Sequence, residues 1–314
     1  MKIPDSPSAL IGAEQIPLVY IQSAAHSGST MLALQLGRHP DVATVGELSG
    51  TPSRSQPGYR CSCGAELARC GFWADVSAAM ARRGFAYRAA SDLTDVGDAP
   101  TAYARRLLRP LHRGPLLELL RDAGLALSSA ARAHLRRHQQ LKAALVESVV
   151  ESTGKPVVVD SSKSGVQLKY LLRNPRFQVK VLWLVRDGRA VARSLMRNQR
   201  LDMRQAAYQW RRSNEEAQAI VRRLAPGAWT EVRYEALCTE PAAALAALWR
   251  FIGVAPQPAE EGVQHVLGHS SRLGGGRAVR LEEKWRTELA EGDLRVFEDV
   301  AGRLNRRLGY AAGR

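Results

Sequence analysis

The sequence predicts an α/β fold built on a central, mainly parallel sheet with a helical insertion. Three observations carry this. Short continuous apolar runs at residues 18–21, 157–159 and 179–185 fit strands buried on both faces. Helical stretches separate strands, and that alternation argues for βαβ units. A helix-rich block between residues 72 and 151 then interrupts the alternation.

The elements follow in order. A strand at 18–22 runs into a small, hydroxyl-rich loop, residues 23–30, and then a helix at 31–38. A short strand at 42–45 ends just before Glu47. Residues 50–70 form a turn-rich loop with Pro52, Pro57, Gly58 and Gly64. Residues 72–151 read as helical throughout, with breaks near Gly84, Pro110 and Pro115. Strand and helix alternate again from 156 to 237, and a mixed run at 229–233 suits a strand nearer the sheet edge. The remainder is mainly helical. The expected organisation is one domain over 1–314, with 50–151 inserted as a cap over one end of the sheet.

With 314 residues, 45% apolar and 24% charged, the chain is globular rather than disordered or fibrous. No stretch approaches the ~18 to 20 consecutive apolar residues of a membrane span. The opening residues MKIPDSPSAL lack the apolar core of a secretory signal, so a cytoplasmic location is expected. The net charge is +15, and 38 of the 45 basic residues are Arg. Arg suits bidentate contacts with phosphate or sulfate, whereas Arg-favouring codon usage on solvated helix faces would give the same composition. A nucleic-acid binder is the alternative that charge suggests. Aromatics are only 6% and do not alternate with the basic stripes as a stacking platform requires.

Ligands of open α/β sheets bind beyond the carboxyl ends of the strands. The first strand ends in a loop whose helix opens with Ser29 and Thr30, able to aim backbone N–H groups and two hydroxyls at one anion. The spacing G-x-x-x-x-G-K-[ST] is absent, which weakens a P-loop kinase or other nucleotide triphosphatase. The strand at 157–159 ends in Asp160-Ser161-Ser162-Lys163-Ser164, with one of only seven lysines. The strand at 179–185 ends in Arg186-Asp187-Gly188-Arg189. Asp187 suits an N-cap, and Ser194 lies two helical turns on, so Arg186 and Ser194 can grip one phosphate from two sides. The stripe Arg189, Arg193, Arg197 and Arg200 lies on another face and is expected to be mostly solvated.

Together these strand ends resemble the sulfotransferases that use 3′-phosphoadenosine 5′-phosphosulfate (PAPS). Their first motif, a basic residue then S-G-[ST]-[ST], reads here His26-Ser27-Gly28-Ser29-Thr30. The continuation Leu36-Gly37-Arg38-His39-Pro40-Asp41-Val42, then Gly46-Glu47, is similar to carbohydrate and tyrosylprotein sulfotransferases. Their 3′-phosphate motif appears as residues 184–194, from Leu184-Val185-Arg186 to Arg193-Ser194. Arg233-Tyr234-Glu235-Ala236-Leu237, with Pro241 and Phe251-Ile252-Gly253, resembles the tail of the same fold. The resemblance leaves out residues 72–151.

The resemblance implies a P-loop NTPase-like three-layer fold, PAPS as cosubstrate with no metal required, and a small-molecule or glycan acceptor with a hydroxyl or amine. It assigns residues 26–30 to the 5′-phosphosulfate and Arg186 and Ser194 to the 3′-phosphate, and it places Tyr234 at the cofactor. Gly274-Gly275-Gly276-Arg277 with Lys284-Trp285 resembles, more loosely, a loop closing over the nucleotide, so Arg277 and Lys284 join the cofactor set. One departure stands out: the family usually has Lys or Arg where this chain has His26. Lys163 then supplies the missing cation, or activity depends on protonation of His26. Sulfuryl transfer follows the logic of phosphoryl transfer, and a base that takes the acceptor proton helps. Glu47 is the first candidate base, His26 the second, and Asp160 a weaker one that better suits orienting the loop.

Cys61, Cys63 and Cys70 crowd together, far from Cys238. They fit a tight structural loop with buried thiols, or three ligands of a zinc site whose fourth ligand spacing does not name. A disulfide is not expected in a reducing compartment.

Overall fold

Leu18 and Tyr20 point to one side of the first strand and Val19 and Ile21 to the other, and both pairs are buried in separate apolar clusters. A strand buried on both faces needs a helical layer above and below it. The computed structural model has that three-layer arrangement; it describes residues 15–50, 52–109, 115–274 and 280–311.

The chain runs β1 (Ile16–Ser23), α1 (Ser29–Leu36), β2 (Val42–Gly46), then α2 (Gly71–Arg82), α3 (Ala102–Leu107), α4 (Pro115–Leu127) and α5 (Ser129–Thr153) before β3 (Val157–Asp160). It continues through α6 (Gly165–Leu171), β4 (Phe177–Val185), α7 (Gly188–Gln199), α8 (Met203–Val221) and β5 (Trp229–Arg233). The last helices are α9 (Tyr234–Thr239), α10 (Pro241–Ile252), α11 (Trp285–Glu288), α12 (Glu291–Phe297) and α13 (Arg303–Arg307). The five strands are parallel, in the order β2-β3-β1-β4-β5. The mixed run at 229–233 is the edge strand, where a less apolar sequence is tolerated.

One face of the sheet is covered by α1 and α10, through Leu32, Leu36, Leu248 and Trp249. The other is covered by α2, α5 and α8, through Trp73, Leu145, Val149 and Trp210. Half of α5 is therefore the crossover layer between β2 and β3, while α3, α4 and the start of α5 gather in a separate small cluster around Leu108 and Leu125. No helix among the described residues is long and apolar enough to cross a membrane.

The 72–151 block is not helical throughout. Residues 83–101 form turns and irregular chain after Gly84, which has φ 81°. Their polar groups find partners elsewhere: the Thr94 N–H donates to the Ser49 carbonyl at 2.9 Å, its hydroxyl to the Leu48 carbonyl at 2.6 Å, and His134 Nε2 lies 2.9 Å from the Val96 carbonyl. Satisfied main-chain groups remove the need for a helix there. The sheet order places β1 between β3 and β4, so the chain leaves β1 first to one side and later to the other. The crevice beyond β1 is a topological switch point, where α/β sheets bind ligands.

Candidate active site

That crevice holds a cleft of about 430 Å³ lined by residues from every strand end. The loop after β1 enters it in a strained conformation. His26 and Lys163, on loops after β1 and β3, both have left-handed backbone, φ 62° and 65°. Such positions are uncommon for residues other than glycine and cluster at functional sites. Gly28 (φ 97°) sits between them and the helix, and a Cβ there would lie 2.8 Å from the Tyr234 ring. The Leu32 N–H is the one that returns to the Gly28 carbonyl, at 2.9 Å. The N–H groups of Ser29, Thr30 and Met31 precede it and are free of intrahelical partners by the geometry of a helix start. With the hydroxyls of Ser29 and Thr30 they form an anion cradle at the positive end of α1.

On the β2–β3 side, Lys163 Nζ donates to Glu47 Oε1 and to the Ser161 carbonyl, the latter at 2.9 Å. Both side chains are mostly enclosed, at 17% and 13% exposure, yet both line the cleft. The frame behind them is polar and buried. Asp160 accepts from the Leu48 N–H (3.2 Å) and the Ser162 N–H (2.9 Å), which ties the Glu47 loop to the Lys163 loop. Asp160 lies wholly inside the protein, so it orients rather than meets a ligand. Burial pushes its carboxyl up, opposed by Lys142. Lys142, also fully buried, donates to Thr94 Oγ1 at 2.9 Å, and burial pulls it down to about 8.

His26 answers the question raised by its place in the motif. Burial, then the neighbouring His269, Lys163 and Arg186, lower it to about 4. In the free protein near neutral pH it is therefore uncharged, and Lys163 rather than His26 brings positive charge to this side of the cleft. Its ring meets His269 edge-on, with centroids 5.5 Å apart.

On the β4 side, Arg186 is buried against the Tyr234 ring, 4.1 Å from its centroid. It donates to the His26 carbonyl (3.1 Å) and to the Glu282 carboxylate (3.0 Å). Ser194 lies along α7 in the same cleft. The neighbouring arginines depart from the sequence expectation. Arg197 and Arg200 are exposed, but Arg189 and Arg193 are buried. Arg189 pairs with Asp187 at 2.7 Å and stacks on Trp285 at 3.9 Å. Arg193 pairs with Glu288, and with Glu282 at 3.4 Å. The C-terminal segment around α11 packs over this face of α7, which a helix read in isolation presents to water.

The cleft thus brings together His26, Gly28, Ser29, Thr30, Glu47, Lys163, Arg186, Ser194 and Tyr234. Ser27 is buried and does not line it. Lys284 is exposed at the start of α11 and does not line it either. Arg277 lies outside the described residues. Three further polar cleft residues were not among those expected: Ser53, His269 and Arg280. Ser53 lies in a short 3-10 turn six residues after Glu47, and His269 and Arg280 flank the glycine-rich run at 274–276, so each stands near a motif but in none. A smaller cleft of about 200 Å³, near α4 and α6, contains Lys169, but this pairs with Glu118 (3.0 Å) and Asp122 (2.6 Å).

A sequence model described as "Sulfotransferase family" matches residues 17–258. The chain belongs to the sulfotransferase family. The match covers β2 to β5, nearly all of β1 and the loops that follow the strands, but not the segment that brings Gly268, His269 and Arg280 to the cleft. Among solved structures, the sulfotransferase domain of the Synechococcus PCC 7002 olefin synthase is similar, with a TM-score of 0.50 and 20% identity over 94% of this chain and 96% of that one. A sulfotransferase from Mycobacterium avium has a TM-score of 0.47 and 11% identity, covering 96% of this chain and 79% of that one. The first likeness supports the fold, P-loop-like with its parallel sheet. No protein of curated function matches the sequence. In this cleft the loop after β1 carries an uncharged histidine, and nearby charge comes from Lys163 on the loop after β3, the next strand over.

Proposed function

We propose that this protein moves the sulfuryl group of PAPS to a hydroxyl or amine of a small-molecule or glycan acceptor. The observation that carries the reading is the convergence, in one cleft, of two cationic ends around a helix N-terminus. Lys163 and the cradle of residues 28–31 form one end, and Arg186, Ser194 and Tyr234 the other. The donor set fits a nucleotide carrying two separated anionic groups. Backbone N–H groups and hydroxyls suit a phosphosulfate, and a buried guanidinium beside a hydroxyl suits a phosphate.

PAPS supplies a sulfur joined to a good leaving group, its 5′-phosphate. The chain's residues do the rest. Glu47 accepts the acceptor's proton as the acceptor oxygen forms its bond to sulfur. The bridging sulfur–oxygen bond breaks, and its electron pair stays on the phosphate oxygen. Lys163 and the α1 N–H groups stabilise the charge that develops there; such fixed donors act without reorganising. Neutral His26 contributes as a ring N–H donor, not as a cation. Lys163 also holds the Glu47 side chain in position through their ion pair.

The test is transfer of label from sulfur-labelled PAPS to a panel of acceptor classes: sugars, lipid headgroups, phenols and secondary metabolites. The reading expects one class to gain label, with desulfated nucleotide (PAP) released in equal amount. Label that stays on the nucleotide with every class, in folded protein whose melting temperature PAP does not raise, overturns it.

A further inference from the structure

The three crowded cysteines acquire a fourth partner in the fold. Cys61 and Cys63 sit on a tight turn closed by the Arg60–Glu66 bridge, by the Cys61 N–H donating to the Ala65 carbonyl (2.9 Å) and by the Gly64 N–H donating to the Cys61 carbonyl (2.9 Å). Gly64 allows the turn through its φ of 90°. Cys70 caps the start of α2. His265 comes from the other end of the chain, on a segment registered against the same turn. The Ser62 N–H donates to the Val266 carbonyl at 3.2 Å, and the Val266 N–H to the Ser62 hydroxyl at 2.7 Å.

All four ligand atoms, three Sγ and His265 Nδ1, lie within 4.8 Å of one another. Cys63 Sγ is 3.7 Å from Cys70 Sγ, and His265 Nδ1 is 3.5 Å from Cys70 Sγ and 3.7 Å from Cys61 Sγ. A tetrahedral zinc ion with bonds of about 2.3 Å to sulfur and about 2.0–2.1 Å to nitrogen has edges of about 3.8 Å (S–S) and about 3.6 Å (S–N). These three of the six edges match those of a single ion, and the other three are within 4.8 Å. The surroundings hold the ligands in place: the His265 ring stacks on Phe72 with centroids 4.5 Å apart, and the turn's own main-chain bonds fix Cys61 and Cys63. Such outer contacts fix ligand orientation. Three thiolates and an imidazole in a tetrahedron select zinc.

We propose that Cys61, Cys63, Cys70 and His265 bind one structural zinc ion, in a closed Cys₃His site that staples the 59–70 turn to the 262–269 segment. The site takes no part in the transfer chemistry, since four protein ligands leave no open position. It bears on the cleft through the chain. Two residues beyond His265, the Leu267 N–H donates to the Val45 carbonyl (2.9 Å) and its own carbonyl accepts from the Glu47 N–H (3.3 Å). Gly268 and His269, next along, line the cleft. Gly46 permits this approach, because a Cβ there would lie 1.8 Å from the Leu267 carbonyl oxygen. The metal thereby fixes the wall against which Glu47 rests.

The experiment is elemental analysis of the full chain purified under reducing conditions without chelator, followed by cobalt(II) titration of the metal-stripped protein. The expected result is one zinc per chain, and visible absorption bands of tetrahedral thiolate-bound cobalt that saturate at one ion per chain and vanish on adding zinc. Cys63→Ser and His265→Ala should each lower the bound zinc, and Cys238→Ser should leave it unchanged. The proposal is overturned by a folded, unaltered chain that carries no zinc and gives no cobalt bands. A Cys63–Cys70 disulfide in the freshly isolated protein would overturn it equally. Neither readout involves PAPS or transfer, so this outcome is independent of the proposed activity.

Discussion

Two cations of the cleft, Lys163 and Arg186, are each held by a carboxylate, but the carboxylates belong to different parts of the molecule. Lys163 meets Glu47, and both stand on loops that continue from sheet strands. Glu47 is fixed from several sides: its N–H reaches Leu267, its carbonyl accepts from Arg54, and the next residue is tied to buried Asp160. Arg186 meets Glu282, which arrives from the C-terminal segment, is 32% exposed, and is shared with Arg193. The first pair is part of the framework. The second is a surface carboxylate standing on a buried guanidinium, in the place where an anionic ligand would pair. Under the proposed function, the difference is between a group that takes part in the reaction and one that a bound anion displaces.

Substitutions at the two pairs should therefore act in opposite directions. Glu47→Gln removes the proton acceptor but leaves the cradle, so kcat should fall by about 10²–10⁴-fold while PAP still binds. Lys163→Ala should lower kcat as well, by loss of charge stabilisation. An undiminished kcat in Glu47→Gln would remove it as the base. Glu282→Gln should instead tighten PAP binding by about 2- to 5-fold, the scale of a partly exposed ion pair given up. Weaker binding in that variant would mean Glu282 helps to hold the nucleotide.

A smaller effect separates the neutral histidine from its charged neighbours. His26 titrates near 6.5 when unfolded and about 4 when folded, so between these values the unfolded chain binds more protons. Stability should decline as pH falls through that window and show no further loss from this group below it. His138, lowered to about 3 by burial, extends the same trend. Urea midpoints measured from pH 7 to pH 4 should fall, and His26→Gln should flatten the slope while leaving the share of His138. A slope identical in the variant would show that His26 is not held neutral by the fold.

Much of this was written in local sequence. Buried parallel strands are continuous apolar runs, and the run at 229–233 coincides with β5. Residues 26–30 and 184–194 are contiguous and sit at strand ends, where their chemistry is readable from order alone. What escaped depends on contacts across the chain. Arg189 and Arg193 are buried because Trp285, Glu282 and Glu288 cover a helix face that looks solvated by itself. Residues 83–101 avoid helix because α5 and the Ser49 loop satisfy their polar groups. His269 and Arg280 reach the cleft, and His265 the cysteines, only because distant segments fold back on the first βαβ unit.

The proposed function requires that one cleft bind a nucleotide with two anionic groups, gripped at one end by Arg186. Calorimetric titration of PAP into the unaltered protein and into Arg186→Ala tests it most directly. A single saturable site is expected, weakened roughly 10- to 100-fold in the variant, as follows from losing charge-assisted hydrogen bonds of about 1.5–3 kcal/mol. Absence of PAP binding to the unaltered folded protein, or equal binding by both, would contradict it.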